Sequence, residues 1–132
     1  MDVLSFSAIS EYIKKEINHK CGLNLSQTRL LLFFYHSNNQ PLAMGELANE
    51  LHISLSTLSR QLQQKKTQEY ISITRLLNDS SKNVNLNSAG LKKAQELEQE
   101  LSEIEQGLLA QLDEDHTKIF ASELEKLSKY TE

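Results

Sequence analysis

The sequence has 132 residues, 39% of them hydrophobic and 24% charged, with four Gly, one Pro and one Cys. This length is expected to form one compact domain whose core needs neither disulfides nor metal. So few helix-breaking residues favour long helices and argue against a loop-rich, all-β fold. The longest apolar run, Leu30–Tyr35, is far shorter than the ~20 residues of a membrane span, and no signal peptide is apparent. The single Cys21 excludes an internal disulfide, so we expect a cytoplasmic protein without a membrane partner.

The formal net charge is −4, but the charges are unevenly distributed along the chain. Residues 1–52 carry a net −1, residues 53–91 a net +3, and residues 92–132 a net −6. The average argues against a general nucleic-acid-binding protein. The basic segment 53–91 is nevertheless compatible with an anionic partner that binds only this part of the chain.

Two amphipathic helices are predicted first. Ile9, Ile13 and Ile17 recur every four positions on one helix face, and that helix is expected to end near Gly22. The next helix is predicted to take Ser26 as its N-cap residue, whose side chain accepts a backbone N–H bond. Its run of consecutive apolar residues predicts that it is the most buried helix of the fold.

A helix-turn-helix pattern and a β-hairpin follow. A short helix over residues 44–51 is separated by about three residues from a second helix, predicted over Ser54–Lys66 with Ser54 as N-cap. Alternating residues at 70–75 and 84–86 then predict two short strands joined by a polar tip.

The last third of the chain predicts two more helices. The first begins at Asn87 or Ser88, and the second begins near Asp115 or His116. Their apolar stripes, with that of the first helix, exceed what one short core can cover, so we expect a homodimer. The expected dimerisation residues are Ile9, Ile13, Ile17, Leu101, Ile104, Leu108, Phe120 and Leu124.

Several motifs occur in a telling order: Leu25-Ser26-Gln27, Glu46-Leu47-Ala48, His52-Ile53-Ser54, Ser56-Thr57-Leu58-Ser59-Arg60 and Leu86-Asn87-Ser88-Ala89-Gly90. With the hairpin between the last two, the chain resembles the MarR/SlyA family of winged helix-turn-helix regulators over nearly its whole length. The resemblance implies one mainly α domain over residues 1–132, with a winged helix-turn-helix module at 25–88, a small β-hairpin wing, and dimerisation helices at 1–22 and 90–132. The implied function is DNA-binding transcriptional regulation.

The sequence also departs from the pattern of this family. Ala43 stands where a Ser or Thr N-cap is usual, Lys65 where the apolar stripe should continue, and Glu69 where a Gly usually ends the helix. The wing tip is expected near Asn78–Ser81 and lacks the arginine that usually enters the minor groove in the family. Whether such a wing still reads DNA stays open.

The second helix of the helix-turn-helix is the best candidate for a functional surface. If Leu58 and Leu62 face the core, its outer face carries hydroxyls, one guanidinium and amides, which suit base edges and phosphates in a major groove. Arg60 is the residue most expected to contact a guanine or a phosphate, although a merely solvated polar face is the plainer alternative. The predicted DNA-binding residues are Ser54, Ser56, Thr57, Ser59, Arg60, Gln63, Gln64 and Lys65, with Arg75 and Lys82 of the hairpin as phosphate contacts.

Other chemistry finds little support in the sequence. No phosphate-binding loop, nucleophile elbow or metal-ligand spacing is recognisable, so we expect neither an enzyme nor a cofactor. The glutamates of the long helix are typical of a solvated face, and the four histidines lack zinc-site spacing. Cys21 is a candidate redox sensor because His19 and Lys20 beside it would lower its pKa, but a structural cysteine is the commoner case.

Two functions are therefore carried forward. The first is a sequence-specific regulator, expected to be a repressor on a palindromic operator. A small-molecule effector, held between the dimerisation helices and the winged helix-turn-helix module, is expected to release it from DNA. The second is a protein-interaction module that kept the winged fold while its DNA binding weakened. Lys65, Glu69 and the missing wing arginine motivate this second function.

Overall fold

The computed structural model describes residues 1–75 and 82–132, in which it contains seven helices and three strands. The elements in chain order are α1 (Leu4–Cys21), α2 (Leu25–His36), β1 (Leu42–Ala43), α3 (Met44–Glu50), α4 (Leu55–Gln63), α5 (Lys65–Gln68), β2 (Ile71–Arg75), β3 (Lys82–Leu86), α6 (Ser88–Leu109) and α7 (Glu114–Tyr130). The mainly α fold with a small β wing is confirmed. In the described residues, no helix is long and apolar enough to cross a membrane.

The junction between α1 and α2 is set by local capping. Gly22 adopts a left-handed φ of +69°, which stops α1 as the sequence predicted. The prediction of Ser26 as the cap of α2 is wrong, because Asn24 caps the helix and Ser26 lies within its first turn. The Asn24 side chain accepts from the Gln27 backbone N–H at 2.8 Å, while the Gln27 side chain accepts from the Asn24 backbone N–H at 2.9 Å. This reciprocal capping box satisfies two N–H groups, whereas Ser26 would satisfy one.

The hairpin is part of a three-stranded antiparallel sheet with the strand order β1-β3-β2. Val84 at the centre of β3 lies opposite Leu42 on one side and Ile73 on the other. The sequence analysis missed β1, since a two-residue strand is too short to show alternation. Asn39 extends the pairing beyond β1, because its side-chain amide accepts from the Leu86 N–H at 2.8 Å and donates to the Leu86 carbonyl at 3.0 Å.

A tight joint connects the sheet to α6. Asn87 caps α6 by accepting from the Gly90 N–H at 2.8 Å, as its position in the sequence suggested. Its side-chain amide also donates to the carbonyls of Glu69 and Ile71, at 3.1 and 3.4 Å. Gly90 packs so closely on the Tyr70 carbonyl oxygen that an added Cβ would lie 2.1 Å from it. Only glycine fits this position without a backbone shift.

The core is centred on α2, as its apolar run predicted. Leu30, Leu31 and Phe34 are essentially inaccessible to solvent and belong to one cluster with buried residues of α1 and α6. Ile17 and Ile104, both expected at the dimer interface, are 1% and 5% exposed in the single chain. They are therefore already buried within one subunit. Of the expected dimerisation residues, only the more accessible ones remain available for an interface. Ile13, Leu101 and Leu108 are partly buried against the same core.

Helix α7 stands apart from this core. It begins at Glu114 with Asp113 as its cap, one or two residues earlier than predicted. None of its 17 residues is buried, and Phe120 and Leu124 are 41% and 42% exposed. Ile9 near the start of the chain is also exposed, at 44%. Several exposed apolar side chains thus lie in the first and last helices, although Leu55 of α4 and Ile73 of β2 are exposed as well.

We expect the substitution Gly90→Ala to destabilise the fold by roughly 3 kcal/mol, because the new methyl group meets a backbone carbonyl that cannot move alone. Urea denaturation measures this loss. Gly107→Ala in the same helix is the matched control: a Cβ there meets no atom within 4 Å, so it should raise stability by about 0.5–1 kcal/mol. Equal effects of the two substitutions would contradict the close-packing argument.

Candidate DNA-binding surface

Helices α3 and α4 form the predicted helix-turn-helix. Ala43 offers no side-chain cap to α3, whereas Ser54 caps α4 by accepting from the Thr57 N–H at 3.1 Å. The turn between the helices contains His52 with a φ of +57°, a left-handed conformation that reverses the chain in a few residues. The turn leads directly into α4, whose Ser56, Arg60 and Gln63 are exposed.

The outer face of α4 carries the hydroxyl and guanidinium groups that the sequence predicted. Leu58 and Leu62 are 0% and 4% exposed and attach the helix to the core. On the opposite side, the Ser54 hydroxyl lies 3.1 Å from that of Ser56 and donates to that of Thr57 at 2.8 Å. The exposed Arg60 guanidinium donates to the same Thr57 hydroxyl at 3.4 Å. These groups form one cluster at the first two turns of the helix.

The second half of this face differs from the prediction. Gln63 is exposed and donates to the Ser59 hydroxyl at 3.5 Å, so both residues stay on the helix. The helix ends at Gln63, however, because Gln64 is extended with φ −63° and ψ 133°. Gln64 and Lys65, predicted on the same helix, therefore lie at a break and at the start of α5. Both are exposed, but neither continues the face of α4.

The basic side chains around this surface are largely unpaired with described acidic residues. Arg60, Lys65, Arg75 and Lys82 form no ion pair within 4.0 Å among residues 1–75 and 82–132. Lys66 is different: its ammonium lies 3.3 Å from the Glu69 carboxylate, and this hydrogen bond raises the pKa of Lys66.

Arg75 and Lys82 lie directly opposite each other at the end of the β2–β3 ladder. Arg75 is exposed and Lys82 is half-buried. Like charges in directly opposite positions repel each other, so this pair favours an anion nearby. The predicted wing tip, Asn78–Ser81, lies outside the described residues.

Cys21 differs from its expected chemistry. Its side chain is buried, and desolvation raises the pKa of the thiol. The carboxylates of Glu96 and Glu100 raise this pKa further, against the opposing effect of Lys93 and Lys20. The expected lowering of this pKa is therefore wrong, because burial and the carboxylates of α6 outweigh the effect of Lys20.

Neither a metal centre nor a deep cavity was found in the described parts of the chain. No group of three or more His, Cys, Asp or Glu side chains within them could hold a metal ion. An open depression of about 300 Å³ lies between α1 and the start of α2, lined by Lys14, Lys15, Asn18, Asn24 and Leu25.

The helix-turn-helix and its antiparallel sheet define a winged-helix module, and comparison with solved structures makes the class more specific. No protein-family model matches the sequence, and no curated protein matches it. Crystal structures nevertheless match over nearly the full length. The Staphylococcus aureus MepR–DNA complex has 23% identity and a TM-score of 0.81, with 98% of each chain covered. MarR has 18% identity and a TM-score of 0.80, with 99% of this chain and 91% of that one covered.

A third neighbour is the heme sensor protein PefR from Streptococcus agalactiae, in complex with heme. It has 19% identity and a TM-score of 0.73, with 96% of this chain and 88% of that one covered. At these identities the likeness establishes the fold. The chain therefore has the winged helix-turn-helix fold of the MarR type, as its motifs indicated.

We expect Cys21 in the native protein to react with Ellman's reagent at pH 7 at least about tenfold more slowly than in the urea-unfolded chain, because the fold shields the buried thiol from the reagent and raises its pKa. Absorbance at 412 nm follows the released thiolate. Equal rates in the two states would favour the redox-sensor alternative.

Proposed function

We propose that this protein is a DNA-binding transcriptional regulator, a repressor that binds a palindromic operator as a homodimer. The observation that carries the proposal is the exposed outer face of α4. There the Arg60 guanidinium donates to the Thr57 hydroxyl, which also accepts from that of Ser54, above a buried Leu58. Hydroxyls at a helix N-terminus suit phosphates, and an arginine can bind guanine through two hydrogen bonds.

The charge distribution supports the same surface. The segment of residues 53–91 carries a net +3, and its Arg75 and Lys82 repel each other unless an anion lies between or beside them. Residues 92–132 carry a net −6, which repels the phosphate backbone from the last two helices. DNA is therefore directed to the helix-turn-helix and the base of the wing.

The proposed dimer rests on the exposed apolar groups of α1 and α7. A helix without a buried residue, yet with Phe120 and Leu124 exposed on one side, needs a second surface to cover it. Ile9 and the half-buried Ile13 of α1 offer such a surface in a second copy. A twofold dimer presents two α4 helices to successive major grooves about 34 Å apart, which is why we propose a palindromic operator.

A small-molecule effector and a cytoplasmic location complete the proposal. PefR shares this fold and is a heme sensor, and MepR is a transcription regulator of a multidrug efflux pump. These neighbours support a regulator whose DNA affinity responds to a ligand, through a change in the spacing of the two α4 helices.

We expect Arg60→Ala to weaken binding to the operator by about 1–3 kcal/mol, or roughly 5- to 150-fold in Kd. Arg60 is exposed, and among the described residues its side chain forms a hydrogen bond only with Thr57 of its own helix, so the fold should be unaffected. Fluorescence anisotropy measures the Kd for a duplex selected from the DNA that flanks the gene.

Lys126→Ala is the matched control, since it removes one exposed cation from α7, far in sequence from the proposed surface. It should change the Kd less than about twofold, because surface charges distant from the DNA contact contribute little.

For the unaltered protein, the affinity for DNA should fall steeply between ~50 and ~200 mM salt, because phosphate contacts release counterions. A flat salt dependence, with no selected duplex, would favour the protein-interaction module instead.

We expect a dimer at micromolar concentration, and Leu124→Asp should raise its dissociation constant about 30-fold or more, because a carboxylate would be buried in an apolar interface. Analytical ultracentrifugation measures both values. Ser122→Asp adds the same charge to another exposed position of α7 and should leave the dimer intact. A monomeric unaltered protein would contradict the proposal.

A further inference from the structure

No helix-breaking residue accounts for the interruption between α4 and α5. Residues 55–69 contain neither Gly nor Pro and include many good helix formers, so their intrinsic preference is one continuous helix. Gln64 nevertheless adopts an extended conformation, with ψ 133°. A tertiary contact must therefore help to hold the break.

One reason for the break is the position of Lys65. In a continuous helix, residue 65 follows Leu58 and Leu62 on the same face, which is buried. A buried, unpaired ammonium group is strongly unfavourable. The break turns Lys65 into solvent and brings Thr67 into the core instead, where its side chain is 1% exposed.

The contact that holds the broken chain comes from α2. The Gln27 side chain is 7% exposed, and its Nε2 donates to the Gln64 Oε1 at 3.2 Å and to the Thr67 Oγ1 at 3.4 Å. Its Oε1 accepts from the Asn24 N–H at 2.9 Å. Both Nε2 hydrogens and the carbonyl oxygen of this amide are therefore used. A buried polar group that is satisfied in this way favours one arrangement over its alternatives.

We propose that Gln27 is a positioning residue for the DNA-binding surface: it fixes where α4 ends and how that end sits on α2. This inference rests on the proposed function for its consequence, because base contacts need the α4 side chains in register with a groove. The same amide bonds to the cap of α2, so it links the α1–α2 junction directly to the end of α4.

The first test replaces Gln27 with Met, which keeps the volume but removes the amide. We expect the Cα and Cβ chemical shifts of Gln64 to lose their extended character, and amide exchange at residues 64–68 to speed up. The second measurement is the ratio of the Kd for unrelated DNA to the Kd for a duplex that the unaltered protein selects from random sequence. This ratio should fall roughly tenfold, the discrimination of one misplaced base contact.

This ratio of Kd values distinguishes a positioning role from a general loss of folded protein. A loss of folded protein would weaken binding to unrelated DNA and to the selected duplex equally, and the ratio would not change. Asn24→Ala is the matched control, because it removes the other half of the capping box but leaves the bonds from Gln27 to Gln64 and Thr67. It should leave the ratio and the Gln64 shifts unchanged.

Thr67→Val is a second variant, in which the new side chain has nearly the volume of the old one and the capping box between Asn24 and Gln27 is left intact. It removes one acceptor of the Gln27 amide at a buried position that cannot contact DNA. It should move the shifts and the ratio in the same direction as Gln27→Met, by a smaller factor.

Unchanged Gln64 shifts in both Gln27→Met and Thr67→Val would overturn the inference. If the unaltered protein selects no duplex, the proposed function fails, while the Gln64 shifts still decide whether Gln27 holds the break. Altered shifts with an unchanged ratio would mean that the end of α4 does not affect DNA discrimination, which also overturns the proposed positioning role.

Discussion

The approach of Gly90 to the Tyr70 carbonyl is the constraint on which the arrangement of the module depends. The same carbonyl accepts from the Asn87 N–H at 3.0 Å, and the Asn87 side chain both caps α6 and bonds to the backbone on either side of Tyr70. Three elements therefore meet at Tyr70 and Asn87: the end of α5, the start of β2 and the first turn of α6. Because α6 also packs on α2, this joint fixes the base of the wing relative to the core that supports α4.

The proposed DNA binding depends on the distribution of charges as well as on the placement of helices. Arg60, Lys65, Arg75 and Lys82 have no acidic partner among the described residues, whereas Lys118, Lys126 and Lys129 of α7 each pair with a glutamate one turn earlier. These unpaired cations favour a positive potential near α4 and the base of the wing, despite the net charge of −4. The Lys66–Glu69 pair reduces that potential close to the end of α4.

Local patterns predicted much of this structure, because several of its elements follow from short-range physics. The stripe of Leu58 and Leu62, the cap at Ser54 and the start of α6 at Ser88 all depend on residues within one turn of the helix. One error was local, since the capping box between Asn24 and Gln27 was overlooked in favour of Ser26. Other errors arose where residues distant in the sequence decide the structure. Lys65 signalled an irregular helix, yet only the amide of Gln27, 37 residues earlier in the chain than Gln64, explains how the break is held. Likewise, the carboxylates that raise the pKa of Cys21 come from α6.

The exposure of α7 affects how fast the protein is degraded in a cell. A helix of 17 residues, none of them buried, is only marginally stable in water, so its order depends on the surface that covers it. If that surface is a second copy, the helix completes its folding only when two chains meet. Newly made chains at low abundance would then expose a tail open to proteases, and paired chains would not. Turnover would be fastest when the protein is scarce, which sharpens the threshold concentration above which it accumulates.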